Sequence, residues 1–298
     1  MPDITHALAA ARVLGLARLD AQLLLLHALG TAHSQLAERR AWLQAHGEAV
    51  LPASAWERFQ HGTTRRADGE PLAYITGHKE FFGLDLQVDA RVLVPRPDTE
   101  RLVEWALELL AGPISARFRV PLAVLDLGTG SGAIALALKH EKPDTQVDAM
   151  DASDDALAVA RANAQRLGLQ VRFSQGFWLD QVTRQYHCIV ANPPYVAERD
   201  PHLAALVHEP ISALVSGPDG LKDIRQIVHA APTRLYPGAW LVVEHGFDQG
   251  AAVRELFATA TYHAVETRRD LGGNERCTGG QLPETIGQVT PPPGHPNT

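Results

Sequence analysis

The sequence predicts a doubly wound α/β sheet carried behind a small helical bundle. Three observations predict it. From about residue 122, short apolar runs alternate with helix-period segments, the pattern of strands joined by crossover helices. The first run opens into a glycine-rich turn, Gly128-Thr129-Gly130-Ser131-Gly132, where such sheets hold a ligand against a helix N-terminus. A later run, Tyr186 to Ala191, leads into Asn192-Pro193-Pro194-Tyr195, again at the C-terminal end of a strand.

The elements follow in order. Residues 3 to about 67 read as four helices. Thr5 caps the first, which carries Ala7, Leu8 and Ala11. The second starts at Asp20, is rich in leucine from Leu23 to Leu26, and stops at Gly30. The third runs from Ser34 to Ala45, before Gly47. Ser54 caps the fourth, with Trp56 and Phe59. Helix-period apolar residues and glycine stops define them, and residues 1–68 are taken as one helical domain. Residues 69–97 form a linker. Within it Leu72 to Gly77 looks β-like, and Glu80 to Val88 alternates as a half-buried strand, so a β-hairpin is expected between the domains. Pro97-Asp98-Thr99-Glu100 starts a helix, which leaves unexplained why Arg96 is held between two prolines. Strands are expected at 123–127, 146–150, 170–174, 186–191, 239–244 and 262–266, with a seventh at about 275–282. Helices fall around 133–140, 154–166, 221–235 and 248–258. The α/β domain spans 98–282, and the Pro/Gly-rich stretch 283–298 is expected to be disordered.

The 298 residues suffice for two cores. Hydrophobic content of 45% and charged content of 20% are those of an ordinary soluble globular protein. A net charge of −7 lowers the expectation of broad contact with nucleic acid. Cys188 and Cys277 lack any metal-binding spacing, so no metal and no disulfide scaffold are expected. No apolar run nears the roughly 18 residues of a membrane span, and the N-terminus lacks the order of a signal peptide. A cytoplasmic monomer is the expectation.

Two prolines in succession fix φ and remove two backbone donors. What remains at 192–195 is a rigid bracket of carbonyl oxygens beside one Asn amide and one aromatic ring, suited to a planar –NH2 group. The Asn192 side-chain oxygen and the Pro193 backbone oxygen can each accept one N–H, with Pro194 stiffening the bracket and Tyr195 packing on the flat group. Such nitrogens are poor nucleophiles because their lone pair is delocalised, so catalysis is positioning plus electrostatics. A purely structural Pro-Pro turn is the bland alternative. The glycine turn is followed by Asp151 at the end of the next strand, placed to accept both ribose hydroxyls of a nucleoside. Its GxGxG spacing, with Ala133 next, disfavours NAD without excluding it. Asp126, before the glycines, can hold an ammonium group, which S-adenosylmethionine carries and NAD does not. Solvated strand-end acids are the alternative for Asp126 and Asp151.

Asp126-Leu127-Gly128-Thr129-Gly130-Ser131-Gly132, then Asp151, then Asn192-Pro193-Pro194-Tyr195 resembles a class I S-adenosylmethionine-dependent methyltransferase acting on a planar amino group. Further motifs narrow the resemblance. They are Leu93 to Glu100, Gly69 to Tyr74 with Phe82-Gly83, Val242 to Gly246, and Gly273 to Arg276. With the helical first domain, they resemble the bacterial release factor glutamine methyltransferase family over roughly residues 5 to 280. The resemblance implies a seven-stranded, mostly parallel Rossmann-like sheet and methyl transfer to the glutamine of the Gly-Gly-Gln loop of class I peptide-chain release factors. S-adenosylhomocysteine would be the product, and the helical domain would bind the protein substrate. It also implies that Gly128 to Gly132 hold the methionine part, that Asp151 takes the ribose, and that Asn192 to Tyr195 take the glutamine amide. Asn192 also borders the cofactor. The family's Asp-Trp beside the adenine is here Gly176-Phe177, with Trp178 next; Phe177 is assigned to the adenine and Trp178 stays open. The stretch from Tyr195 to Glu209-Pro210 looks short.

Two neighbouring readings share the bracket and the cofactor: a nucleic-acid exocyclic-amine methyltransferase and a ribosomal-protein glutamine methyltransferase. The latter typically has Ser where this chain has Pro97. A non-catalytic module on a decayed methyltransferase fold is a third alternative. The chain also carries its own Gly279-Gly280-Gln281, read as chance, with self-methylation as the sharper alternative.

Overall fold

Asp3, rather than Thr5, caps the first helix: its carboxylate accepts the His6 N–H at 2.7 Å. The earlier carboxylate outcompetes the Thr5 hydroxyl, which instead donates to the Gly47 carbonyl at 3.0 Å. The structure is a computed structural model and describes residues 2–32, 35–118 and 121–284; the tail expected to be disordered lies, apart from Pro283 and Glu284, outside the described residues. Helices α1 (Ile4–Val13), α2 (Arg18–Ala28), α3 (Leu36–Ala45) and α4 (Ala53–Ala67) pack around Ile4, Leu24, Leu25, Leu43, Leu51 and Phe59. Ser54 does not cap α4, which starts one residue earlier, after Pro52. A proline there presets φ for the first turn.

Leu72 to Gly77 is helical, not β-like: Leu72–Thr76 forms α5, stopped by Gly77 at φ +77°. Tyr74, Ile75 and Thr76 carry β propensity, but burial overrides it. Successive helical residues point about 100° apart. Ile75 therefore enters the helical core while Tyr74 enters the core beneath the sheet, with its hydroxyl on the Val92 carbonyl at 2.5 Å. The expected hairpin is present as β1 (His78–Phe81) against β2 (Leu84–Gln87), turned by Phe82 and Gly83 at positive φ.

After the single turn Pro97–Thr99 come α6 (Glu100–Ala111) and α7 (Pro113–Arg117). The sheet is then built from β3 (Ala123–Leu127), β4 (Gln146–Asp151), β5 (Arg172–Gln175), β6 (Tyr186–Ala191), β7 (Leu235–Glu244), β8 (His263–Arg269) and β9 (Glu275–Gln281), in the order β5-β4-β3-β6-β7-β9-β8. The first five run parallel, while β9 is antiparallel to both β7 and β8. The crossovers are α8 (Ala133–Glu141), α9 (Asp154–Leu167) and α10 (Lys222–Ala230), and α11 (Gly250–Thr259) leads to the antiparallel pair. The helix expected to reach 235 stops at Ala230 because Pro232 cannot continue it. Period-two alternation buries Val124, Val190 and Val242 under one helical layer and Leu125, Ile189 and Leu241 under the other.

Chain order reverses between β3 and β6, which opens a crevice at their C-terminal ends. Asn163 of α9, fully buried, ties the hairpin to that crevice. Its amide exchanges bonds with the Gln87 N–H (2.8 Å) and C=O (2.9 Å) and donates to the Ser131 carbonyl at 3.0 Å.

Candidate active site

A cavity of about 620 Å³ occupies the crevice. Its floor is the glycine turn. Gly128, Gly130 and Gly132 sit at φ +69°, +55° and +86°, so the chain reverses where L side chains would be strained. The Gly128 and Thr129 N–H groups bond to the Met150 carbonyl, and the Gly130 N–H donates to Asp151 Oδ2 at 2.9 Å. Asp151 Oδ1 takes the Ser153 N–H at 2.9 Å. These bonds hold the carboxylate at the cavity edge, and burial raises its pKa.

Asp126 lies beneath the turn, fully buried. Its Oδ2 accepts the Thr129 hydroxyl at 2.7 Å and the Ala135 N–H at 3.1 Å, while Oδ1 has no partner among the described residues. Burial pushes its carboxyl up to about 7. An unpartnered acceptor beneath a glycine turn, a strand-end carboxylate and an aromatic rim fit the ammonium, the ribose diol and the base of an adenosyl amino acid.

Phe177 and Trp178 both border the cavity but in different ways. Trp178 is 8% exposed and donates its indole N–H to Asp223 Oδ1 at 2.9 Å; Asp223 Oδ2 in turn accepts the Ser216 hydroxyl at 2.7 Å. Trp178 thereby backs the Gly128 turn, where a Cβ would meet its ring at 3.1 Å. Phe177 is 46% exposed at the rim. At Gly176 a Cβ would come within 2.7 Å of Met150 Cε, so an acid has no room there unless Met150 moves.

At the other end of the cavity stand Asn192 and Pro194, with Pro193 buried behind them. The Asn192 amide nitrogen donates to Thr99 Oγ1 at 3.1 Å, which turns its carbonyl oxygen away from Thr99. The Tyr195 hydroxyl donates to Glu244 Oε1 at 3.2 Å and its carbonyl accepts Gln249 Nε2 at 2.9 Å. One wall is Pro95, Arg96 and Pro210. Arg96 closes an ion pair with Glu209, whose Oε2 accepts the Val94 N–H at 3.1 Å. His208, next in the chain, meets the Asp68 carbonyl at 3.2 Å, joining this wall to the helical region.

The glycine turn, Asp151, Phe177 and Asn192 therefore share one cavity. Asp126 and Tyr195 support it from behind. Sequence reasoning missed Thr99, Glu209 and Asp223 as site residues. Thr99 stands in sequence only as part of a helix start, and the other two bear no local motif. Gln281 lies in β9 between Trp240 and His263, with its amide donated to the Gly238 carbonyl at 2.8 Å.

A glycine turn and strand-end acid at the switch point of this sheet are those of a nucleoside-binding α/β fold, and the family matches make it a methyltransferase. Residues 103–219 match the family described as Methyltransferase small domain, and residues 3–77 match PrmC N-terminal domain. The chain is 49% identical over 269 residues to the release factor glutamine methyltransferase of Pseudomonas aeruginosa, covering 89% of this chain and 92% of that protein. The protein of that name from Xylella fastidiosa is 47% identical over 281 residues (93% and 98%), and the one from Escherichia coli 43% over 268 (89% and 92%). The chain belongs to the release factor glutamine methyltransferase family. In fold it is similar to the hMettl16 catalytic domain, with TM-score 0.54, 17% identity and 80% and 84% of the two chains covered. A methyltransferase from Pyrococcus furiosus has TM-score 0.50, 17% identity and 75% and 99% covered.

Proposed function

We propose that this protein transfers a methyl group from S-adenosylmethionine to the side-chain amide nitrogen, N5, of the glutamine in the Gly-Gly-Gln motif of class I peptide-chain release factors. The observation that carries the reading is the orientation of Asn192. With its amide nitrogen committed to Thr99, its carbonyl oxygen is left to accept an N–H in the cavity that also holds the glycine turn and Asp151.

Gly128 to Ser131 and Asp151 would hold the cofactor, with Asp126 answering its ammonium and Phe177 its base. Bound there, S-adenosylmethionine supplies an electrophilic methyl on a sulfonium. Asn192 Oδ1 and the Pro193 carbonyl accept the two N–H bonds of the incoming amide. This fixes the nitrogen and raises electron density on it. No base is needed beforehand: the N–H becomes acidic only as the new bond forms, and its proton then leaves to solvent. Pro193 and Pro194 keep the acceptors rigid, and Tyr195 flanks the flat group.

Incubation of a purified release factor with this protein and S-adenosylmethionine, followed by mass spectrometry of the Gly-Gly-Gln peptide, tests the reading. A gain of one methyl on that glutamine is expected. An unmodified glutamine, with label appearing instead on RNA, DNA or a ribosomal protein, would reject it.

A further inference from the structure

Glu244 ends β7 with a fully buried side chain. Its Oε1 accepts the Tyr195 hydroxyl at 3.2 Å, while its Oε2 has no hydrogen-bond partner among the described residues. Thr99, also buried, lies close enough to the same carboxyl to favour its charged form. The Thr99 hydroxyl receives the Asn192 amide at 3.1 Å. One carboxyl thus bonds one end of the Asn192 to Tyr195 bracket and stands beside the residue that holds the other. Burying a carboxylate with an unfilled acceptor costs stability, and the residues before it, Val242 and Val243, are plain core.

We propose that Glu244 is a positioning residue of the amide site: it takes the Thr99 proton, so that Thr99 can only accept from Asn192, and the Asn192 carbonyl oxygen is kept toward the substrate. The inference rests on the reading of Asn192 as the amide acceptor. A hydroxyl has one proton to give. If Thr99 spent it on Asn192, that amide would turn over and present its own NH2 to the substrate NH2. Donor would then face donor. The bond to Tyr195 fixes the opposite side of the bracket in the same way.

Burial pushes the Glu244 carboxyl up to about 7. The groups facing it are Tyr195, Thr99 and Asp98, with Arg276 and Cys277 from β9. Asp98 raises the pKa and Arg276 lowers it. Glu244 accepts the Thr99 proton best as a carboxylate, so turnover rises with pH through about 7.

The test is Glu244→Gln in the full-length protein, assayed with a release factor. We expect kcat to fall roughly 10- to 100-fold, the scale of a misoriented reacting group, with a smaller change in KM. The rise in kcat through about pH 7 disappears, S-adenosylmethionine affinity by calorimetry holds, and Tm does not fall because the amide is cheaper to bury. Thr99→Val loses a similar factor, and the double variant is no worse than either single one, as for two links in one chain. A Glu244→Gln enzyme with wild-type kcat and pH profile overturns the inference. So does a loss of activity matched by losses of Tm and cofactor affinity, or an additive double variant. Asn192→Ala assayed alongside separates the two readings. An active Asn192→Ala overturns the assignment of Asn192 itself; an inactive one beside a wild-type Glu244→Gln overturns only the role of Glu244.

Discussion

Arg96 and Glu209, 113 residues apart, close an ion pair across the wall of the cavity. The Glu209 side chain is 3% exposed and that of Arg96 36%. Pro97 keeps Arg96 extended, at φ −96° and ψ 143°, so its side chain leaves the strand-like backbone toward Glu209. The two prolines that no helix start explains are therefore the mounting of this pair. Glu209 also accepts the Val94 N–H, so the segment carrying Pro210 is held from two sides.

Arg96→Ala leaves Glu209 buried without its cation. Breaking a fully buried pair costs about 3–5 kcal/mol; with Arg96 partly exposed we expect roughly 2–3 kcal/mol, read as a lower midpoint in urea. KM for the release factor should rise more than the Kd for S-adenosylmethionine. A variant with unchanged midpoint and KM would deny the pair this role. Arg96→Lys should recover only part of the loss, since its ammonium is a more strongly hydrated point charge on a differently shaped stem.

Asp126 makes stability depend on pH. Its folded carboxyl is raised to about 7 from an ordinary 3.8, so the folded state binds its proton more tightly than the unfolded one. That contribution is fully present below about pH 4 and is lost as pH rises through about 7, with a span of about 4 kcal/mol. Thermal unfolding of the cofactor-free protein between pH 5 and 8 should show Tm falling, less steeply in Asp126→Asn. S-adenosylmethionine affinity should run the opposite way, rising over pH 6 to 8, if an ionised Asp126 answers the ammonium as proposed. A cofactor affinity flat with pH would remove Asp126 from that role.

The neighbouring aromatics should separate cleanly. Trp178 is buried and hydrogen-bonded to Asp223, so Trp178→Ala should cost about 3–5 kcal/mol of stability. Phe177 is half-exposed at the rim, and Phe177→Ala should leave the unfolding midpoint within about 0.5 kcal/mol while weakening S-adenosylmethionine several-fold by calorimetry. Equal affinity in Phe177→Ala and the parent would transfer the adenine to another wall.

The protein's own Gln281 should stay unmodified. Its amide is donated to the Gly238 carbonyl inside the sheet. Gln281 pairs with Trp240, four residues before Glu244 on β7, which puts it about 13 Å along the strand from the site. Intact-mass analysis after incubation with S-adenosylmethionine should show no methyl on Gln281; a stoichiometric one would mean that β9 opens.

Local pattern was enough for much of this protein. Alternating apolar runs, glycine stops and the chemistry of Gly128 to Gly132 and Asn192 to Tyr195 are properties of contiguous residues, and they specified the sheet, its helices and the kind of ligand. Local pattern failed at Leu72 to Thr76, where β-forming side chains sit in a helix because Tyr74 and Ile75 bury in two different cores. It also misplaced the caps at Asp3 and Pro52 by two residues each. Only the tertiary structure decided the contacts that turn the bracket into a site. Thr99 meets Asn192 across 93 residues, Tyr195 meets Glu244 across 49, and Trp178 meets Asp223 across 45. Each is a hydrogen bond between buried or part-buried groups far apart in the chain. Such bonds leave no periodicity behind, because their partners become neighbours only when the sheet order brings β6, β7 and the turn before α6 to one edge.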